Sequence, residues 1–456
     1  MLHERRLRPH LRVIASVRPL TRNFITLLRG DLVRHGALVF VSTNLANAFG
    51  YLFHFILSRK LGVAGYGELA TMLSGSMIAA FPATVFSMTV VKAASEVRHS
   101  PGRLRTLALG VFKLSLIYGA LAAVAGLALM GTISTYLKLS QPLEVLAVAA
   151  FVASMFAMSG VRGILQGTQR FRPFSASIAL EAILKVVLGV GLAVTGFGTL
   201  GALWGSAFAS IVTVVLTLIM IAPLFASSDP EDDLDLGRFA RSLGGVSAAM
   251  FALTIIGSAD VIIVKHFFAP RLAGIYGVVS LAGKMLLFLV GFVPTVVMPK
   301  ATARALSGKS PTTILVQALV VVLTICGLGL IVYSRLPQLL VSVLAGHAFA
   351  SAAPYLLLYG VAMSALATTT IVVYYRIGLH RFDFVVPLLV VAVLDLAAMY
   401  RFHDSLFQVI IVVCSFDILA MLVSLVGVTA SVNMTSHTVR IEKHGGKRAR
   451  QLWELR

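Results

Sequence analysis

Long stretches without Asp, Glu, Lys or Arg alternate along the sequence with short segments that carry the charges. The stretches 35–58, 69–91 and 114–137 are each long enough for the roughly 20 residues of helix that cross a bilayer. The stretches 186–228 and 336–375 are long enough for a helical hairpin. With turn signals as boundaries, the pattern predicts an all-α, polytopic membrane protein with about twelve transmembrane helices. These helices are predicted at 36–58, 67–91, 106–130, 143–166, 174–195, 199–223, 241–267, 276–298, 312–334, 350–375, 383–401 and 405–430.

The predicted helices divide into two lobes around the middle of the chain. Six of them fall in 36–224 and six in 241–430, and the segment 225–240 separates the two groups. That segment contains the acidic run Asp229 to Asp235, which lacks the alternating ligands, central glycine and terminal glutamate of an EF-hand loop. We therefore interpret it as a solvated cytoplasmic linker. Basic segments flank the lobes at 1–35 and 431–456.

Composition supports the membrane assignment, because 58% of the residues are hydrophobic and only 12% are charged, against about a quarter charged in soluble proteins. The formal net charge is +20, and Lys and Arg concentrate in the tails and in the loops on the same side as the tails. Since basic loops stay in the cytoplasm, both termini are predicted to be cytoplasmic, in a multi-pass protein of the cytoplasmic (inner) membrane. The basic tails are expected to contact anionic membrane lipids and not nucleic acid.

A pattern of glycine and proline recurs in the two lobes about 210 residues apart. Ala64-Gly65-Tyr66-Gly67 precedes the second predicted helix, and Ala273-Gly274-Ile275-Tyr276-Gly277 precedes the eighth. These two helices also carry Pro82 and Pro294, which predict a bend in each. Because the repeat contains an even number of helices, both copies cross the membrane with the same polarity. Transporters built from such parallel repeats bind substrate between the lobes and alternate access by rocking one lobe against the other.

Three short motifs resemble the polysaccharide-flippase branch of the multidrug/oligosaccharidyl-lipid/polysaccharide exporter superfamily: Leu61 to Gly67, Lys92 to Glu96, and Arg162 to Phe171. The similarity runs from about residue 33 to about residue 430. It implies a V-shaped bundle of two six-helix lobes that carries an undecaprenyl-pyrophosphate-linked oligosaccharide to the outer leaflet, with glycan polymerase machinery as an expected partner. Members that flip the peptidoglycan precursor have fourteen spans. Twelve predicted helices therefore favour the O-antigen, capsule or exopolysaccharide type.

Four polar residues inside predicted helices are candidates for substrate binding. Lys284 lies eight residues into the eighth helix, where a lysine costs about 2.5 to 3.5 kcal/mol unless it faces a cavity or a partner or snorkels to the interface. Family members often carry a basic residue early in this helix. Lys185 follows Glu181 by one turn, which predicts a neutralising pair or a place on the substrate path. Asn44 and Asn47 share a face of the first helix that suits interhelical hydrogen bonding or sugar contact.

Carboxylates within the second lobe are candidates for ion coupling. Asp260, Asp395 and Asp417 fall in or near the ends of the seventh, eleventh and twelfth predicted helices. Asp260 and Asp395 are predicted to bind Na+ or H+ and couple its gradient to transport. Pairing of these acids with Lys284 or Lys265 is the alternative. No cofactor beyond such a coupling ion is expected.

Three functions fit a membrane protein of this kind: a lipid-linked oligosaccharide flippase, a drug/cation antiporter of the same superfamily, and a glycan polymerase or ligase. The enzyme needs a large extracytoplasmic loop, which the predicted topology lacks. Ser307 to Ser310 resembles the end of a phosphate-binding loop, but Ala303 stands where the loop requires glycine. A secondary transporter is therefore predicted. The antiporter differs in needing an acidic cavity, whereas a pyrophosphate carrier needs a basic one.

Overall fold

The computed structural model describes residues 31–222 and 243–428. Residues 1–30 of the predicted basic segment, the predicted acidic linker at 225–240 and the predicted basic tail at 431–456 lie outside the described residues. Within the described ranges the chain consists of helices joined by short turns and contains no strand. The prediction of an all-α fold is confirmed.

The first half begins with a helix that folds back on itself. Helix α1 spans Asp31–Ala79 and is kinked at Gly62, whose φ of 67° and ψ of −179° suit glycine and strain other residues. His54 Nδ1 lies 3.1 Å from the Tyr66 hydroxyl, whereas twelve residues of straight helix would separate the two by about 18 Å. The two arms of α1 therefore form the first predicted crossing and most of the second. Helix α2, at Phe81–Val97, completes the second.

Four further helices make up the rest of this half: α3 at Pro101–Leu137, α4 at Leu143–Gly167, α5 at Phe171–Leu184 and α6 at Gly198–Ile221. Between α5 and α6 the chain forms two π-helical segments, Lys185–Val190 and Ala193–Phe197. It then reverses at Gly196 and Gly198, whose φ angles are 108° and 53°. Glycine adopts such angles without strain, which is why the reversal occurs there.

The second half contains nine α-helices and one 3₁₀ segment among the described residues. They are α7 at Gly244–Ile256, α8 at Ala259–Phe267, α9 at Pro270–Leu289, α10 at Val293–Leu306, α11 at Thr312–Arg335, α12 at Pro337–Leu344, the 3₁₀ segment at His347–Tyr355, α13 at Leu356–Gly378, α14 at Val385–Arg401 and α15 at Leu406–Leu425.

Each half breaks its second crossing just before a proline. Helix α1 ends at Ala79 and α2 begins at Phe81 with Pro82 in its first turn. In the second half α9 ends at Leu289, and α10 begins with Pro294 in its first turn. Proline lacks the N–H that an interior helical position requires, but the first turn does not need it. The bends predicted from the two prolines are thus complete breaks.

Nine helices in the described part of the chain are long and apolar enough to cross a membrane. The count is lower than the twelve predicted crossings for three reasons. Leu38–Ala79 joins the first crossing to most of the second, and Phe171–Ile221 joins the fifth to the sixth. Helix α14 has 17 residues and is shorter than each of these nine helices. The predicted crossings all overlap observed helix, and the protein is a multi-pass membrane protein.

In each half the helices pack around a central one. Helix α4 contacts α2, α3 and α6 in the first half, and α13 contacts α9, α10, α11 and α15 in the second. The halves touch mainly where α1 meets α8 and α9. We call this boundary the seam.

The two copies of the repeated glycine motif meet at the seam. A Cβ atom on Gly67 would lie 2.7 Å from the Gly274 nitrogen, and a Cβ atom on Gly274 would lie 1.8 Å from the Val63 carbonyl oxygen. Helices α1 and α9 therefore pack backbone against backbone, as small residues allow in membrane proteins.

Candidate functional site

A cavity of about 310 Å³ lies at the seam and is lined by both halves. Met77, Phe81 and Thr84 contribute from the first half. The second half contributes most of the wall, including Lys284 and Tyr374. Among the described residues that line this seam cavity, Lys284 is the one with a charged side chain.

Lys284 is half-buried near the end of α9. Its ammonium group has no hydrogen bond or ion pair within the described ranges, and it is attracted from a distance by Asp260 and Asp417. A lysine that is held in a cavity without a direct partner keeps its charge available to a ligand. Lys284, which is predicted to lie within a membrane helix, thus places a charged group in a cavity whose lining is mostly apolar.

A second lysine, Lys185, approaches from the first half. Lys185 begins the first π-helical segment, and its Nζ lies 5.0 Å from the centroid of the Phe53 ring and 5.5 Å from that of Phe151. The neighbouring His54 is within electrostatic reach of both Lys185 and Lys284. Lys185 does not line the seam cavity, but it acts electrostatically on the same histidine as Lys284 does.

The predicted pairing of Lys185 with Glu181 is wrong. Glu181 instead forms an ion pair with Arg162 of α4, with 2.8 Å between Oε2 and Nη2. Arg162 also donates to the hydroxyl and the carbonyl of Ser177, so its guanidinium is held in place by several acceptors at once. A rigid fork of donors suits this position better than the ammonium of a lysine. The ammonium group of Lys185 lies above aromatic rings instead, and it acts on Glu181 only from a distance.

Asn44 and Asn47 lie three residues apart on one face of α1, and the Asn44 side chain is exposed. Asn44 Nδ2 donates to the Phe40 carbonyl at 2.9 Å, and Asn47 follows on the same face and is half-buried. Phe40 contacts Phe292 edge-on, with 6.2 Å between ring centroids. Neither asparagine lines the cavity that contains Lys284. Their role in binding substrate stays a prediction.

Asp260 is buried at the start of α8, directly after the break between α7 and α8. Its Oδ2 accepts hydrogen bonds from Tyr276 of α9 at 2.8 Å and from Tyr359 of α13 at 2.6 Å. Tyr359 also lies 3.2 Å from the hydroxyl of Ser280. The other oxygen of Asp260, Oδ1, has no partner among the described residues. Sequence reasoning missed both tyrosines, although Tyr276 belongs to the repeated glycine motif.

Two more buried carboxyls lie in the same half. Asp395 of α14 and Asp417 of α15 are 1% and 0% exposed, and both interact electrostatically with Asp260. One oxygen of Asp395 and both oxygens of Asp417 lack hydrogen-bond partners within the described ranges. Three carboxyls sequestered in this way call for protons or cations, since a buried unpaired charge is costly. No set of three His, Cys, Asp or Glu side chains in the described part converges as a preformed metal site.

Comparison of the sequence with protein-family models and with curated proteins gives no match. Solved structures, however, match the fold over almost the whole chain. An inward-facing MATE family multidrug resistance transporter of the MOP superfamily has a TM-score of 0.69 at 13% identity, covering 88% of this chain and 95% of that one. The lipid II flippase MurJ in an inward closed conformation gives 0.65 at 15% identity, covering 90% and 91%. The chain has the MATE/MurJ transporter fold.

In this MATE/MurJ fold, one end of the seam is tied by polar bonds that sequence reasoning missed. Lys265 of α8 pairs with Glu68 of α1, with 3.3 Å between Nζ and Oε1, so the alternative in which Lys265 pairs with the aspartates is wrong. Ser140, in the turn before α4, donates to Glu68 through its backbone N–H at 3.1 Å and its hydroxyl at 2.8 Å. We call this end of the seam, marked by Glu68 and Lys265, the sealed end.

Arg59 of α1 adds a second tie at the sealed end. Its guanidinium donates to the carbonyls of Ser342, Val343 and Leu344 at 2.9, 2.9 and 3.2 Å. These are the last carbonyls of α12, where a helix has unpaired acceptors and a partial negative charge. Two basic side chains, Arg59 and Lys265, thus join the halves of this protein at the sealed end. The distribution of Lys and Arg along the sequence predicts that the sealed end is extracytoplasmic.

Proposed function

We propose that this protein is a flippase that moves an undecaprenyl-pyrophosphate-linked oligosaccharide across the cytoplasmic membrane. The observation that carries the proposal is the charge of the seam cavity. Lys284 lines it, whereas Asp260, Asp395 and Asp417 are absent from its lining. A cavity lined by one sign of charge concentrates ligands of the opposite sign. The lining therefore supports an anionic headgroup.

The wider arrangement of basic groups supports the same substrate class. Lys185 adds positive charge from the first half, and it acts electrostatically on the same histidine, His54, as Lys284 of the second half does. Lysine binds phosphate as a flexible point charge, whereas arginine forms a rigid two-pronged contact. Lysines therefore attract a pyrophosphate without fixing it, which suits release on the far side after the halves rock. Hydroxyl groups of Thr84, Thr370 and Tyr374 in the same lining are partners for sugar.

Ion coupling is the second part of the proposal. Three buried carboxyl groups lie in the second half and do not line the seam cavity: Asp260, Asp395 and Asp417. We call them the carboxyl set of the second half. A proton or Na+ bound there neutralises charge that is otherwise buried without partners. Lys284 interacts electrostatically with Asp260 and Asp417. Neutralising these acids therefore changes the electrostatic potential that a pyrophosphate meets in the seam cavity. Ion binding and substrate binding are then linked energetically.

A drug/cation antiporter is the alternative, and one feature of the seam cavity favours it. Phe81, Phe288 and Tyr374 line the cavity, and aromatic faces attract organic cations. Lys284 opposes this function because its ammonium group repels a cation in the same cavity. The two functions therefore make opposite predictions about Lys284.

The test uses the full-length protein in proteoliposomes with two probes: a fluorescent undecaprenyl-pyrophosphate disaccharide and tetraphenylphosphonium. Replacing Lys284 by Gln is expected to slow flipping of the lipid about tenfold or more, as loss of one charged contact worth about 1.5 to 3 kcal/mol does. The matched control is Lys113→Gln, since Lys113 is exposed in α3. The antiporter would be established instead if the parent protein transports tetraphenylphosphonium but does not flip the lipid, and if Lys284→Gln transports tetraphenylphosphonium faster than the parent does.

A further inference from the structure

A second buried acid lies beside the Glu68–Lys265 pair at the sealed end. Glu144, in the first turn of α4, is 0% exposed. Its Oε1 lies 3.3 Å from the Ser140 hydroxyl, and its Oε2 has no hydrogen-bond partner among the described residues. Two carboxyls, carried by α1 and α4, thus contact a single serine, and the ammonium group of Lys265 on α8 pairs with one of them.

The hydrogen bonds of Ser140 determine where a proton must be. Its hydroxyl has one proton but two carboxyl neighbours. The contact with Glu68 Oε2 is the shorter, at 2.8 Å, and takes that proton. The contact with Glu144 then needs a proton that Glu144 itself supplies. The reverse assignment, with the proton on Glu68, conflicts with Lys265 and the Ser140 backbone N–H, which both donate to Glu68 Oε1 and stabilise it as a carboxylate.

The charge balance of the cluster leads to the same assignment. Lys265 compensates the charge of Glu68, so an ionised Glu144 would leave one negative charge buried without a partner. The titratable groups that act on Glu144 across the cluster are Glu68 from α1 and Lys265 from α8. The nearby end of α3 adds Tyr136 and Lys138, which are exposed to solvent.

The other helices that pack on α4 bring no counter-charge to this end of it. Helix α6 has no titratable side chain in its range Gly198–Ile221. Helix α2 meets α4 near Gly163 and Gly167, at the opposite end. On the α5 side, Glu181 is paired with Arg162. Neutralisation of Glu144 therefore depends on a proton.

We propose that Glu144 is a proton-binding site whose occupancy holds the sealed end closed. Separation of the halves admits water to Glu144. Relief of its burial, the largest influence on this carboxyl, outweighs the loss of Lys265 as a nearby cation, so the separated state favours the ionised form. By linkage, a proton bound preferentially in the closed state stabilises that state, and its loss as pH rises favours separation. If the sealed end is extracytoplasmic, external protons act as a closing signal. The site is distinct from the carboxyl set of the second half and does not depend on the identity of the substrate.

The test measures the distance between the halves at the sealed end in the full-length protein, without substrate, as pH is raised. Spin labels on Thr195→Cys and Arg335→Cys report that distance. Both residues are exposed, Thr195 in the second π-helical segment and Arg335 at the end of α11, and the predicted topology places both on the side of the sealed end. The native Cys326 and Cys414 are replaced by Ala in this background. We expect longer distances to gain population with rising pH. In Glu144→Gln, which mimics the protonated acid, we expect the short distance at every pH.

Two further measurements separate this site from other effects. Glu96→Gln removes an exposed acid of the same half and is expected to leave the pH-dependent shift intact. Infrared pH-difference spectra of the parent should show the carbonyl band of a protonated carboxyl disappear over the same pH range as the distance changes. That band should be absent from the spectra of Glu144→Gln, which distinguishes Glu144 from the buried aspartates of the second half. A distance distribution in the parent that is independent of pH would overturn the proposal. So would a shift that persists in Glu144→Gln.

Discussion

The hydroxyl of Tyr359 on α13 donates to Oδ2 of Asp260 on α8 across 2.6 Å. The hydroxyl of Tyr276 on α9 donates to the same oxygen, so two aromatic side chains from different helices fix one face of the carboxylate. The opposite oxygen is left without a partner in the described part of the molecule. A carboxyl that is held on one side and vacant on the other is preorganised for a small cation or a proton.

The first prediction concerns this carboxyl. Replacing Asp260 by Asn keeps the shape of the side chain but removes the charge that would bind H+ or Na+. We expect transport driven by an ion gradient to fall at least about tenfold, since a charged contact contributes about 1.5 to 3 kcal/mol, while exchange without a gradient continues. Proteoliposomes with and without imposed H+ and Na+ gradients measure the two activities. The control is Asp404→Asn, an exposed acid of the same half. Equal loss of both activities would argue for a structural role of Asp260.

The second prediction concerns the close approach of α1 and α9. Replacing Gly274 by Ala places a methyl group 1.8 Å from the Val63 carbonyl oxygen, so the two helices must move apart. We expect a loss of about 1 to 3 kcal/mol in stability, as overpacking usually causes, measured as a lower thermal unfolding midpoint in detergent. Gly131→Ala is the matched control, because a Cβ atom there meets open space and alanine favours helix by about 1 kcal/mol. An unchanged midpoint in Gly274→Ala would show that the seam is looser than described.

The third prediction concerns Arg59, which ties α1 to the end of α12. Replacing Arg59 by Gln removes donors to three carbonyls of the other half. We expect the separated form of the sealed end to gain about two- to tenfold in population, equivalent to about 0.5 to 1.5 kcal/mol. Spin labels at Thr195→Cys and Arg335→Cys measure this population. The adjacent exposed Lys60, replaced by Gln, controls for loss of a positive charge. The role assigned to Arg59 is wrong if both variants behave alike.

Much of the fold follows from local physical chemistry. Charge-free stretches of about 20 residues must be helical in a bilayer, because each backbone polar group needs an internal partner there. The breaks before Pro82 and Pro294 follow from the missing N–H of proline. The place of Lys284 in the seam cavity follows from the cost of a lysine in hydrocarbon. Each of these inferences uses only a residue and its neighbours in the sequence.

The features that sequence reasoning missed depend on partners far apart in the chain. Glu68 and Lys265 are 197 residues apart, and no local pattern distinguishes them from interfacial residues with solvated charges. Lys185 and Glu181 show the converse error, because the spacing of four residues suggested a pair that Arg162 of another helix prevents. The number of separate long helices was overestimated where a turn is itself helical, as at the kink of α1.

The last prediction separates two kinds of interaction made by one arginine. Arg376 of α13 is 3% exposed. Its Nη1 donates to the carbonyls of Ser424 and Val426 at 2.8 Å each, and its Nη2 forms an ion pair with Asp383 at 2.5 Å. Replacing Arg376 by Met leaves the buried carbonyl of Ser424 without its donor, and we expect a loss of about 1 to 3 kcal/mol, since an unsatisfied buried group costs about that much.

The matched variant for Arg376 is Asp383→Asn, because the Asp383 side chain is 61% exposed. Ion pairs with an exposed partner contribute about 0 to 1 kcal/mol, so this variant is expected to unfold at nearly the parent temperature in detergent. Arg376→Met should unfold at a clearly lower temperature, because water cannot reach the carbonyl of buried Ser424. Equal destabilisation by the two variants would instead assign the stabilising role to the ion pair, and the carbonyl contacts of Arg376 would then be incidental to the packing of α13 against α15.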